Sequence, residues 1–114
     1  MRKIGDKKEA TALKFLQHKG LKLITKNFNT KMGEIDIIMT DKSQIIFVEV
    51  RYRRSNSHGG AAESISFSKQ KKIIRTSLYY LQTKGLYEKV PFRFDIIAID
   101  DDPVCPIEWI QNAF

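Results

Sequence analysis

Four charged side chains set in apolar surroundings carry the most chemical information in this chain. They are Glu34 and Asp36 in GEIDIIMT, and Glu49 and Arg51 in IIFVEVRYR. Carboxylates grouped in this way suit hard divalent cations. Magnesium typically takes one or two of them and keeps several waters, which leaves room for a phosphate oxygen. Such an ion polarises a phosphoryl oxygen and lowers the pKa of an attacking water. A neighbouring cationic side chain offsets the negative charge that develops. Phosphodiester hydrolysis needs these parts. Spacing alone leaves a plainer alternative open: Glu34 with Arg51, and Glu49 with Arg51 or Arg53, as ordinary ion pairs.

A hairpin must bring these residues together. Their two segments are rich in Ile, Val, Phe and Tyr and flank the polar DKSQ, which predicts strands near 34–40 and 45–53. An even-length loop such as 41–44 sets Asp36 opposite Glu49 and Glu34 opposite Arg51. Opposed residues, and residues two apart, point to one side of a sheet. The four charged groups then share a face, and Ile35, Ile37, Ile46, Val48 and Val50 form a core face. An odd loop scrambles both faces. Like charges directly across a sheet destabilise it, so Asp36 against Glu49 calls for a shared proton, a nearby cation or a bound metal. A third acid, Glu9, lies in line with Leu13 and Leu16 at helical spacing. If that apolar stripe packs on the hairpin, Glu9 reaches the pair. Its plain reading is an acid favoured by the dipole at a helix start.

The other elements follow from periodicity and punctuation. Residues 6–19 read as a helix that Asp6 can cap and Gly20 can end, with Ala12, Leu13 and Leu16 buried. Residues 21–28 read as a strand in which Leu21, Leu23 and Thr25 alternate with Lys22 and Lys26. Residues 54–65, with Ser, Asn and two Gly, form a loop. A second helix spans 67–83, capped by Ser66 or Ser68, with Ile73, Ile74, Leu78 and Leu81 on its apolar side. PFRFDIIAID is a further strand, and IEWIQNAF is a short closing strand or extended tail. The order α-β-β-β-α-β(-β) in a single domain of residues 1–114 predicts an α/β fold, a mixed sheet flanked by helices.

Composition narrows the partners. Twenty Lys and Arg against 13 Asp and Glu give a net charge of +7 on 114 residues; a polyanion such as nucleic acid is the leading partner, and a membrane surface or plain solubility accounts for the charge too. Cys105 is the single cysteine, so an intramolecular disulfide and a paired-cysteine zinc site are both excluded. The start MRKIGDKKEA lacks the apolar run of a secretory signal. Nowhere do roughly 18 apolar residues run together, as a membrane span requires. The expectation is a cytoplasmic protein without a membrane partner.

Arg51, Arg53, Arg54, Lys69, Lys71, Lys72 and Arg75 flank the loop and the start of the second helix, where they could grip phosphates. Lys69, at the positive end of that helix, is the first choice among the helix residues. For Lys71 and Lys72 a solvated helix face is the better reading. His58 and Glu63 fall in the loop, the first as surface decoration and the second as a weak candidate. Parity places Tyr52 on the core side, and Tyr79, Tyr80 and Trp109 read as core or rim packing. Asp95, in an apolar strand, reads as a structural hydrogen-bond acceptor.

The chain resembles the YraN family of bacterial proteins predicted to be endonucleases. The resemblance runs through Glu9, GEID at 33–36, FVEVRYRR at 47–54, HGGAAESIS at 58–66, SKQKK at 68–72, FRFDIIAI at 92–99 and the ending IQNAF. That family is similar to restriction-endonuclease-like proteins and, among them, to archaeal Holliday junction resolvases. The resemblance implies a divalent-metal-dependent endonuclease acting on DNA, and the resolvase analogy points to branched or otherwise structured DNA. It implies magnesium or manganese held by Asp36, Glu49 and the backbone carbonyl of Val50, with Glu9 as a possible further ligand. Asp36, Glu49, Arg51 and Glu9 become the catalytic candidates, and Arg53, Arg54 and Lys69 the nucleic-acid contacts. Resolvase analogy adds a homodimer, for which the sequence itself supplies no feature. Arg51 stands where such nucleases usually carry lysine. A guanidinium stays protonated, so it serves as a phosphate ligand and not as a base.

Overall fold

The protein is described from a computed structural model, which covers residues 3–52, 65–100, 104 and 106–114, with side chains from residue 7 onward. Among the described residues seven elements follow in order: α1 (Lys3–His18), β1 (Lys22–Asn29), β2 (Glu34–Asp41), β3 (Gln44–Tyr52), α2 (Phe67–Thr83), β4 (Phe92–Ile99) and β5 (Ile107–Ile110). The five strands form one mixed sheet in the order β1-β2-β3-β4-β5. Neighbours are antiparallel except β3 and β4, which run parallel because α2 crosses over between them. This is the expected α/β architecture, with the closing segment resolved as a strand.

Each helix covers one face of the sheet. α1 lays Ala12 and Leu16 on Ile37, Met39, Ile46, Val48, Ile97 and Ile99. α2 lays Ile73, Tyr80 and Leu81 on Ile38, Ile45, Phe47 and Phe94. Alternating residues of β2 and β3 therefore serve opposite layers, which explains why both strands are so apolar. Both helices stop in the same way. Gly20 (φ 100°) and Gly85 (φ 69°) adopt the left-handed conformation. Leu21 N–H then returns to the Leu16 carbonyl, and Leu86 N–H to the Leu81 carbonyl.

Several expectations change. α1 begins at Lys3, so Asp6 lies inside the first turns and not at the cap. β1 is an edge strand with a bulge between Leu23 and Thr25, so Leu23 and Ile24 are both exposed and the simple alternation fails. Tyr80 is core, whereas Tyr79 is largely exposed. Tyr52 does project to the α1 side, but at the strand end it is exposed, with Lys8 Nζ 4.5 Å from its ring centroid. Asp95 is the structural acceptor that was expected. Fully buried, it takes hydrogen bonds from Arg93 Nε, Trp109 Nε1 and the Asn112 N–H, each at 2.9 Å. The loop candidates Arg53, Arg54, His58 and Glu63, and also Cys105, lie outside the described residues.

Candidate metal and phosphate site

The hairpin register is the one its apolar pattern required. Asp41 pairs with Gln44 across a two-residue turn, and the ladder runs without a shift to Ile37 opposite Val48. There it stops. Beyond that point β2 continues to pair with β1, through Ile35–Phe28 and Glu34–Asn29. β3 continues to pair with β4, through Glu49–Ile96, Val50–Ile97 and Arg51–Ala98. The sheet forks at the next pair, Asp36 and Glu49.

At the fork a side chain takes over from the backbone. The Val50 N–H donates to Asp36 Oδ2 at 2.9 Å, in place of a β2 carbonyl. This interruption also breaks the strict alternation. Ile35, expected beside Ile37, packs instead in the α2 layer with Ile38 and Phe47. Asp36 and Glu49 meet on the α2 side. Burial, then the neighbouring Glu49 carboxylate, push the Asp36 carboxyl up to about 7, against the opposing pull of the Val50 N–H. Glu34 adds further negative charge.

Two other contacts aim α2 at this pair. Ile65, buried just before the helix, packs on Ile96 and Ala98, the β4 partners of Glu49 and Arg51. Ser66 then caps α2, its Oγ accepting from the Lys69 N–H at 3.1 Å. On the other side the β1–β2 turn closes tightly against the helix. A Cβ on Gly33 would lie 3.1 Å from Thr76 Oγ1 and 3.5 Å from Lys72 Cβ. A side chain there would press on Thr76, so glycine suits the close approach.

The result is a cleft of about 320 Å³ lined by Glu34, Asp36 and Glu49 on one wall and by Ser66, Ser68, Lys69 and Lys72 on the other. Lys69 Nζ sits 2.9 Å from Glu49 Oε2, and Arg51 Nη1 is 3.8 Å from the same oxygen. Sequence reading placed Asp36, Glu49 and Arg51 together and singled out Lys69, and the structure gathers all four. It does not bring Glu9 into the cleft: α1 packs on the opposite face, and Glu9 is half-buried there. Among the described residues no three acidic, His or Cys side chains converge closely enough to hold a metal jointly. Two adjacent carboxylates at an open cleft still fit magnesium, which retains most of its waters. Val50 contributes its N–H to Asp36 in this arrangement. The positioning residues that sequence reading missed are Ile65, Gly33 and Thr76. The one available signal was a glycine directly preceding Glu34.

Residues 8–99 match the uncharacterised protein family UPF0102. The chain belongs to that family. It is 46% identical over 112 residues to a UPF0102 protein of Pseudomonas syringae pv. syringae, covering 96% of this chain and 91% of the relative. A UPF0102 protein of Coxiella burnetii is 47% identical over 111 residues, covering 97% and 91%. One from Psychromonas ingrahamii reaches 50% over 107 residues, covering 93% and 84%. UPF0102 is the family to which the YraN resemblance pointed. Among the described residues no helix is long and apolar enough to cross a membrane.

Proposed function

We propose that this UPF0102 protein is a divalent-metal-dependent endonuclease that hydrolyses DNA phosphodiester bonds, with a restriction-endonuclease-like site at the β2–β3 fork. The observation that carries the reading is the Asp36–Glu49 pair, two adjacent acids held against each other at an open cleft with cations beside them. Such a pair calls for a shared proton or a cation, and a divalent cation in the open cleft is the compensation this reading assigns. Asp36 and Glu49 would hold magnesium or manganese, joined by the Val50 carbonyl. Once bound, the metal would supply Lewis-acid polarisation of a phosphate oxygen.

The chain's own groups do the rest. Lys69, Lys72 and the capped N-terminus of α2 face the cleft from one side, so a phosphate entering it meets positive charge. Arg51 lies beside Glu49 and offers a guanidinium able to bind a phosphate through two hydrogen bonds. Arg53 and Arg54, which follow Arg51 in sequence, are the further phosphate contacts of this reading. The net charge of +7 supports DNA as the partner, and the cytoplasm is the compartment that goes with it. Preference for branched DNA, and a homodimer to make paired cuts, belong to the same reading.

End-labelled duplex, single strand, flap, fork and four-way junction, each with magnesium, manganese or chelator, test it. Metal-dependent cutting that vanishes in Glu49→Ala is the expected result, and its absence from every substrate would overturn the reading. One observation favours a second reading, a nucleic-acid-binding module of the same fold: Arg51 stands where a lysine is usual. That module binds DNA in a steeply salt-dependent way and cuts none of the panel.

A further inference from the structure

Lys69 and Glu49 are unequal partners. The Glu49 side chain is 6% exposed and the Lys69 side chain 46%. Glu49 sits on a strand paired to β4 on one side, so its carboxylate has little room to move. The Lys69 backbone is fixed by Ser66, but its four-carbon stem approaches from the solvent side. An ammonium is a compact point charge on a flexible stem. It can leave without opening the core. Lys72 lines the same cleft one turn further along α2 and provides an internal comparison.

From this arrangement we infer that Lys69 is the resident counter-ion of the carboxylate pair, that it must vacate Glu49 Oε2 for a divalent cation to enter, and that its ammonium then becomes available to a substrate phosphate. The inference rests on the metal-dependent reading above and deepens it. One residue both guards the metal site and, once displaced, grips the substrate. The ammonium and a divalent cation compete for one oxygen and repel each other at that distance. Removing the ammonium therefore tightens metal binding even as it weakens the grip on phosphate.

Manganese binding to the full-length chain without DNA separates the outcomes. Free manganese is followed by electron paramagnetic resonance at fixed pH and salt, for the wild type, Lys69→Met, Lys69→Ala, Lys72→Ala and Asp36→Asn. Both Lys69 variants should bind manganese about three- to fivefold more tightly than wild type, the upper scale of one part-exposed ion pair. Lys72→Ala should change affinity by less than about twofold, since its charge is more distant and screened. Asp36→Asn should bind most weakly. If wild type binds manganese through Asp36 but the Lys69 variants bind no more tightly than Lys72→Ala, the inference falls and the metal site stands. If no variant binds manganese, both fall.

Discussion

Two acidic corners of this sheet start from the same local sequence, an Asp inside an apolar strand, and end in opposite states. Asp95 on β4 is fully buried, and every approach to it is a donor: the Arg93 guanidinium, the Trp109 indole and the Asn112 backbone. Asp36 on β2 has one backbone donor and a second acid against it. Burial of a carboxylate is thus not itself a sign of function. What distinguishes the two is whether the fold already provides the compensating charge. At Asp95 it does, and the group serves to tie β5 and the tail to β4. At Asp36 the compensation is incomplete, and what completes it comes from outside the sheet.

The largest expected effect breaks the satisfied corner. Asp95→Ala leaves the Arg93 guanidinium, the indole N–H and the Asn112 N–H without their acceptor. Stability should drop by about 4 kcal/mol, the usual cost of removing one partner of a buried charge pair, as measured by urea unfolding. The second corner should respond with the opposite sign. Asp36 has its carboxyl raised to about 7 from an ordinary 3.8. The folded state therefore holds a proton that the unfolded chain has already released between those values. Stability of the metal-free protein declines as pH rises through that window and levels off above it. Asp36→Asn removes this penalty, so it should gain up to about 4 kcal/mol at pH 8 and nothing near pH 3. Loss of stability in the Asp36→Asn variant at pH 8 would return Asp36 to the class of Asp95.

The smallest effect sharpens the comparison by moving the wall of the cleft and leaving its acids in place. Gly33→Ala forces a methyl toward Thr76 Oγ1, which is fully buried and already donates to the Lys72 carbonyl at 2.7 Å. A loss of about 1 kcal/mol is expected for overpacking of this kind. Thermal unfolding measures it, and Thr76→Ala in the same chain should restore part of it by making room.

The hairpin was legible because period-two patterning and one polar interruption leave a single register with an apolar face. α2 was legible to the residue, since Ser66 and Gly85 punctuate a clear helical stripe. What sequence did not disclose was the fork. Nothing in GEIDII announces that Asp36 will replace a backbone acceptor, and that exchange moves Ile35 into the other layer. The partner of Glu49 was also ambiguous. Parity brought Arg51 near it, but the closer cation, Lys69, comes from a helix 20 residues further along, whose approach is set by Ile65 on β4. The place of Glu9 was ambiguous for a related reason: a helical stripe shows that a residue faces the sheet, not which side of the sheet it faces.

The bulge in β1 has a consequence for how copies of this protein can meet. An edge strand with free N–H and C=O groups invites another strand to extend the sheet. Here the register shift at Leu23–Thr25, the left-handed Asn27 and the charges of Lys22 and Lys26 interrupt that row. The far edge is β5, only four residues long and entered through Pro106. Among the described residues neither rim offers a straight template, so both edges disfavour strand-to-strand extension of the sheet.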